Sequence, residues 1–373
     1  MMQNWLPILY LIIAGLSCSE CWGYRNSALI IEDARCFKLT NFAGFKVLEV
    51  MNPDLGSNPE IRYLLVPREQ KIPEGSNAYQ IIRTPVTKFI SLSTTHIFPL
   101  DVLGVLNLLI GVARSEDISN PEILERIKTG LIKEVGLFQK SSLESIVELN
   151  PDLVFVYGSN APGEDLDSLK RMNIPLVFVS EFLESTPLGY AEWIKFFGVI
   201  FQQEQIASKH YSQLKANYET LSTTAKGLNK KPSVFVNIPY GGTWFMPGGG
   251  SYLARILADA GAIYPWHDNE SSGSLRLSFE TVIDKAGGAD YWINPGNFLS
   301  LNSLRKSDPR FQIFNAFKKG AVYNMNRKIL DNRPDDYFAT ALANPDKLLK
   351  DLIFIFHPTL LPEHRSEWYH QLP

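Results

Sequence analysis

A chain of 373 residues, 45% hydrophobic and 20% charged, is globular in composition and long enough for two cores. Its net charge of -3, with 36 Lys and Arg scattered and no basic run, excludes an electrostatic footprint for nucleic acid. Aromatic residues make up 12%, which suits both packed cores and a cleft lined with flat rings.

The run WLPILYLIIAGL, residues 5–16, is too short for a comfortable membrane span and leads into small residues and a cysteine, the layout of an export signal. Cys18 stands where a lipoprotein signal places its acylated cysteine, so a lipid anchor is the expected membrane contact. Gly15 occupies a position where Leu is usual, and no Lys or Arg precedes the run. Simple cleavage and an uncleaved anchor therefore stay open. Cys18, Cys21 and Cys36 are the only cysteines, too few for a Cys metal site; with Cys18 acylated, Cys21 and Cys36 are left as a candidate pair. The strand-like runs ALIIED, CFKLTNF, FKVLEVMN and IRYLLVP, between residues 28 and 68, alternate with turn-rich gaps and predict antiparallel hairpins, an appendage ahead of the first lobe.

From residue 81 the grammar changes. TKFISLS reads as a buried strand, STTH as the turn after it, FPLDVLGVLNLL as a helix and IGVA as a second strand, a βαβ unit. Ligands of open parallel sheets gather outside the carboxyl ends of strands, which makes Ser93, Thr94, Thr95 and His96 site candidates by position. Helix then strand follows in SSLESIVELNPDLVFVYG, with Ser141 or Ser142 as the cap, and again in DLDSLKRMNIPLVFV. The segment STPLGYAEWIKFFGVIFQ predicts an amphipathic helix.

Residues 203–230 come next. Ala207, Tyr211, Leu214, Tyr218, Leu221, Ala225 and Leu228 recur at spacings of four and three, one stripe on a helix of roughly 25 residues. Beyond it KPSVFVNIPY reads as a strand, GGTWFMPGGG as a glycine loop and SYLARILADAG as a helix between Ser251 and Gly261. LSFETVIDKAGGADYWINPG, with Ser278 as cap, repeats the pattern of SSLESIVELNPDLVFVYGS in the first lobe. After it SLRKSDPRFQIFNAFKKGAVYNMN gives helix then strand, and PDKLLKDLIFIFHPTLLP predicts a closing helix. The expected architecture is α/β, two Rossmann-like lobes joined by one long helix; a long surface helix inside a single large domain is the alternative.

In this order, over roughly residues 82–360, the series RTPVTKFISLSTTH, VGLFQKSSLESIVELNPDLVFVYG, the long helix, YLARILADAGA, LSFETVIDKAGGADYWI, FKKGAVYNMN and LLKDLIFIFHP resembles the periplasmic substrate-binding proteins of ABC importers for ferric siderophores, haem and cobalamin, the class III or long-helix type. The resemblance implies a rigid connecting helix and a ligand cleft between the lobes. Read from the residues, the expected organisation is an export or lipoprotein signal over 1–22, a hairpin extension over 23–80, lobes over 81–185 and 231–373, and helices over 186–230 between them. The resemblance also implies one acidic residue per lobe that docks on arginines of a permease dimer, and the matching positions are Glu144 and Glu280. Six positions before the first of these, cobalamin-binding members carry a cleft aromatic, here Phe138. Six before the second they carry Trp, where this chain has Ser274; that departure weighs against cobalamin, and Arg276 nearby is placed to meet an anionic ligand.

Other candidates follow from position. Tyr157 and Ser159 end a strand, and Tyr240 and Trp244 flank a glycine loop where rings can stack on a flat ligand or pack in a core. Tyr337 and Phe338 are expected at the mouth. The GGGS turn before Tyr252 either presents backbone N–H groups to an anion or merely fits the chain. His96 or Tyr240 could ligate haem iron, but a His in a capping turn more often forms hydrogen bonds. His267 with Asp268 and Glu270 lacks a second His nearby and reads as a polar loop. The function expected is capture of an iron complex in the periplasm, with haem or cobalamin as the alternative ligand, and delivery to an ABC permease by a lipid-anchored monomer. No catalysis and no resident cofactor are expected, because there is no nucleophile elbow, Walker loop or HExxH pattern. A zinc or manganese receptor would need a His and carboxylate cluster that six scattered histidines do not supply. A surface sensor without a permease stays open.

Overall fold

The computed structural model describes residues 29–51, 60–136, 140–158, 174–330 and 335–373. The export run, Cys18, Cys21, Phe138, Ser159 and the segment DLDSLKRMN lie outside the described residues, as do the side chains of Ser141 and Ser142.

The N-terminal sheet has strands β1 (Phe37–Phe42), β2 (Phe45–Met51), β3 (Glu60–Pro67) and β4 (Gln80–Thr84) in that order, antiparallel except for the parallel β3–β4 pair. The expected boundary at residue 80 therefore falls at the edge of a strand that belongs to this sheet. Nor is the sheet a detached appendage: Phe37, Leu48, Val50, Tyr63 and Ile82 share one core with Phe89, Leu153 and Val177 of the first lobe.

The first lobe is a five-stranded parallel sheet, β5 (Phe89–Ser91), β6 (Leu109–Val112), β7 (Lys133–Glu134), β8 (Leu153–Tyr157) and β9 (Leu176–Val179), in the order β7-β6-β5-β8-β9. Covered on both faces, β5, β8 and β9 are continuous apolar runs, FIS, LVFVY and LVFV. The chain reverses direction across the sheet between β5 and β8, which opens a crevice at their carboxyl ends. In the second lobe β10 (Val234–Val236), β14 (Tyr291–Ile293) and β15 (Val322–Asn324) are parallel, and β16 (His370–Gln371) adds an antiparallel edge.

A second sheet, β11 (Pro239–Tyr240), β12 (Thr243–Pro247) and β13 (Ser274–Leu277), stands where a glycine loop was expected. Gly241 and Gly242, both at positive φ, form the two-residue turn between β11 and β12. Trp244 and Met246 alternate inward along β12, a period of two that the surrounding glycines mask in the sequence.

The lobes meet on the long helix Glu204–Lys226, 23 residues or roughly 35 Å at 1.5 Å per residue. It ends at Gly227, short of Leu228. Ala207, Tyr211 and Leu214 belong to the first lobe's core, whereas Tyr218 and Ala225 belong to the second's. Tyr218 also donates its hydroxyl to Asp259 at 2.6 Å. The preceding segment forms two helices, Pro187–Ala191 and Trp193–Phe201, rather than one amphipathic helix. Every residue of Trp193–Phe201 is buried, because its faces pack on the N-terminal sheet, the lobe and the long helix. A Cβ at Gly198 would come within 2.8 Å of the Ala207 Cβ, so glycine permits this close crossing.

Tyr218→Ala is expected to remove about 3–5 kcal/mol of stability, the range for deleting a buried aromatic ring, read from denaturant unfolding. A loss below about 1 kcal/mol would contradict the helix's place in the second core.

Candidate functional site

The loops at the carboxyl ends of the parallel strands in both lobes enclose a cleft of about 540 Å³. From the first lobe come Thr95 after β5, Tyr157 at the end of β8, Glu181 and Phe182 after β9, and Tyr190 from the following helix. From the second come Asn237 after β10, Asn294 after β14, Tyr252, Ser274 and Met325. Tyr337 and Phe338 close one side and also border a neighbouring polar compartment of about 380 Å³, which Arg114, Asp117 and Asp335 line. Arg114 is engaged there with Glu116 at 2.9 Å and Asp117 at 2.7 Å.

Glu181 is the chemically distinctive group. Thr95 donates its hydroxyl to Oε1 at 2.6 Å, while Oε2 is buried without a partner. The side chain is 4% exposed, and burial raises its carboxyl from an ordinary 4.5 to about 7, against the lowering effect of the Thr95 hydrogen bond. Burial raises the phenols of Tyr157 and Tyr190 as well, with the nearby Glu181 charge acting in the same direction. The Tyr157 ring packs on Phe182 at 4.6 Å, and Tyr190 meets Tyr252 edge to face at 5.8 Å across the lobe boundary.

Asn237 and Asn294 follow equivalent parallel strands, VFV and YWI, and both adopt positive φ, 62° and 56°. Asparagine tolerates that conformation, and it turns both residues onto the cleft wall. The Asn237 amide donates to the Phe245 carbonyl at 3.0 Å. The Asn294 side chain engages the hydroxyls of Tyr337 and Tyr369, and its Oδ1 is buried without a partner.

Of the residues chosen from the sequence, Thr95 and Tyr157 line the cleft together, with Tyr337 and Phe338 beside them. His96 lies beneath it. Its ring is fully buried between Phe155 and Phe197, with Nδ1 3.0 Å from the Ser91 hydroxyl, and burial lowers it from 6.5 to about 3. A cavity of about 20 Å³ behind the cleft floor is lined by His96, Glu181 and His210, and the unpartnered Nε2 atoms of both histidines give it room and polarity for one water.

Three positional expectations are corrected. Trp244 does not face the cleft: it is 0% exposed in the second core and donates its indole N–H to the Val236 carbonyl at 3.0 Å. Tyr240 sits at the β11–β12 hairpin, 82% exposed and outside the cleft lining. Arg276 shares a face of β13 with Ser274 but lies against the Phe245 ring at 5.8 Å and outside the cleft lining, which Ser274, two residues earlier, reaches. The GGGS turn fits the chain: the Gly248 and Gly250 N–H groups donate to Gly273 and Ser271 carbonyls, and a Cβ at Gly248 would sit 2.1 Å from Ser271 O. His267 contacts the Tyr264 carbonyl at 2.8 Å, and among the described residues no cluster of His, Cys, Asp and Glu can hold a metal ion. Glu144 and Glu280 are both exposed on their helices, on separate lobes. The Glu280 carboxyl is held below its ordinary value, first by its own backbone N–H and then by Ser278.

Glu181, Tyr190, Tyr252, Asn237 and Asn294 were not singled out from the sequence. Glu181 directly follows β9, so the strand-end rule that selected Thr95 also applies to it, and the repeated strand-then-Asn pattern of VFVN and YWIN marks the other wall.

The fold is that of two α/β lobes on one long helix with a cleft between them. The chain belongs to the periplasmic binding protein family, whose model matches residues 101–328. An uncharacterized lipoprotein of Methanocaldococcus jannaschii is 26% identical over 327 residues, covering 83% of this chain and 75% of that protein. Among solved structures, a possible iron-binding periplasmic solute-binding protein of Staphylococcus epidermidis has a TM-score of 0.57 at 20% identity, covering 73% of this chain and 99% of that one. A periplasmic haem-binding protein of Vibrio cholerae has a TM-score of 0.55 at 18% identity, covering 70% and 98%. The long-helix class read from the sequence is thus the class of the fold, and its members are solute-binding proteins rather than enzymes.

Burial makes stability depend on pH in opposite senses at two groups. Glu181, raised to about 7, stabilises the fold fully below its ordinary 4.5, and that contribution is lost as pH rises through about 7. His96, lowered to about 3, contributes fully above 6.5 and loses its contribution as pH falls toward 3. Glu181→Gln isolates the first term. Its melting temperature should gain on the wild type as pH rises from about 5 to about 8, and a difference independent of pH would contradict a buried ionisable acid.

Proposed function

We propose that this protein is the extracytoplasmic solute-binding component of an ABC importer and captures a metal chelate, first of all a ferric siderophore-like complex, between its lobes. The observation that carries the reading is the interlobe cleft, walled by Tyr157, Phe182, Tyr190, Tyr252 and Phe338 and sparingly set with polar groups, as a large and partly flat ligand requires. Haem and cobalamin are the alternative ligands within the same reading. Neither His96, which is buried beneath the cleft, nor Tyr240, which lies outside it, supports axial ligation of haem iron. On this reading the metal complex is cargo.

Delivery would follow docking of Glu144 and Glu280 on cationic residues of a permease dimer. One exposed carboxylate per lobe lets charge-assisted pairs read the spacing of the lobes. Acylation of Cys18, outside the described residues, would hold the protein at the membrane surface as a monomer. The lipoprotein naming of the relative supports that anchor, and among the described residues no helix is long and apolar enough to cross a membrane.

The double variant Glu144→Ala/Glu280→Ala, assayed for chelate uptake with the cognate permease in proteoliposomes, should lose transport while chelate affinity stays within about twofold, since neither residue borders the cleft. Unimpaired transport would remove the docking role and favour a sensor without a permease.

A further inference from the structure

Two residues of the cleft wall, one on each lobe, carry a buried hydrogen-bond acceptor without a partner: Glu181 at Oε2 and Asn294 at Oδ1. Both residues are more than nine-tenths buried, at 4% and 8% exposure, so a missing partner is costly to each. Their other polar atoms are already engaged. Thr95 holds Oε1 of Glu181, and the Asn294 side chain faces the Tyr337 and Tyr369 hydroxyls. The other buried carboxylate beside this cleft, Glu184, is saturated: the backbone N–H groups of Arg35 and Cys36 and the Trp193 indole donate to it at 2.8 to 3.0 Å. Glu181 has no such cradle.

We propose that Glu181 is the specificity-determining residue of the cleft and, with Asn294, takes N–H or O–H donors of the ligand, selecting neutral or cationic chelates that carry ammonium, amide or hydroxyl groups over polyanionic ones. The inference rests on the chelate-receptor reading and narrows it. A donor that reaches Oε2 restores the hydrogen bond that burial denies the carboxyl, and a cationic donor also favours its ionised form. Once Glu181 is ionised, a carboxylate or catecholate oxygen in the same place would face a second acceptor and lose both partners' hydration. The neighbouring compartment reinforces the sign: Arg114 is neutralised by Glu116 and Asp117, with Asp335 opposite, while Asp336 is paired with Lys328.

The test is a fluorescence or calorimetric titration of the full chain at about pH 8.5, above the raised range near 7 in which Glu181 titrates, with chelates of graded charge. The set comprises a ferric linear trihydroxamate bearing a terminal ammonium, its N-acetylated form, cyanocobalamin, haemin and a ferric tricatecholate. A donor-bearing neutral or cationic chelate should bind at least about tenfold more tightly than haemin or the tricatecholate, and Glu181→Gln should weaken it by about tenfold or more. The charge series on the wild type needs no variant, and circular dichroism melting confirms that the variant is folded. Tightest binding of an anionic chelate, or an unchanged affinity in a folded Glu181→Gln, would overturn this inference and leave the receptor reading standing. Silence toward every chelate would overturn both.

Discussion

One helix committed to two cores is the constraint on which the molecule depends. Tyr211 and Leu214 are interior residues of the first lobe, Tyr218 and Ala225 of the second, and all four lie on one stripe of Glu204–Lys226. Separating the lobes by a large hinge motion would expose one half of that stripe, and each buried ring resists this by about 1.5–3 kcal/mol of transfer free energy. The lobes can therefore rock only slightly, and the cleft between them is largely formed before a ligand arrives. A chain segment strengthens the junction. Backbone N–H groups of Glu32, Asp33 and Ala34 converge on the buried Glu192 carboxylate at 2.7 to 3.1 Å, and Lys195 pairs with the same carboxylate at 2.6 Å. Asp33 in turn accepts from Tyr211 and Lys215 of the long helix. The peptide entering the N-terminal sheet is thus clamped to the helices that join the lobes.

Three buried acids on neighbouring elements have different work, and their surroundings decide it. Glu192 and Glu184 are surrounded by amide donors and hold the entering peptide. Glu181, only three residues from Glu184, has one hydroxyl partner and a cavity on either side of it, the cleft above and the water-sized space below. Burial without saturation raises its carboxyl toward neutrality. Structural carboxylates and a ligand-facing one are therefore told apart by counting donors, which no inspection of sequence provides.

The lobes and the long helix were legible because their signals are local and periodic: the four-and-three stripe, the apolar runs of β8 and β9, and the Ser278 cap that accepts from Thr281. Tyr157 and Thr95 were legible by the strand-end rule. Trp244 was misplaced because the glycines around Thr243–Pro247 suggested a loop, and only pairing with β13 reveals that its ring points inward. The N-terminal sheet was read as hairpins, but its union with the first core depends on contacts between residues far apart, such as the Tyr63 hydroxyl accepting from the Phe178 N–H at 2.9 Å. The role of Glu181 was hidden for a like reason, since Thr95 reaches it from 86 residues away.

The most direct measurement is a crystal structure of the protein with its tightest-binding metal chelate, with the metal located by anomalous scattering. The account predicts the metal complex between the lobes, touched by residues after β8 and β9 on one side and by Asn237, Tyr252 or Asn294 on the other, with the long helix unchanged in course. A chelate held on the surface of one lobe, or one admitted only by unpacking Tyr211 or Tyr218 from its core, would contradict it.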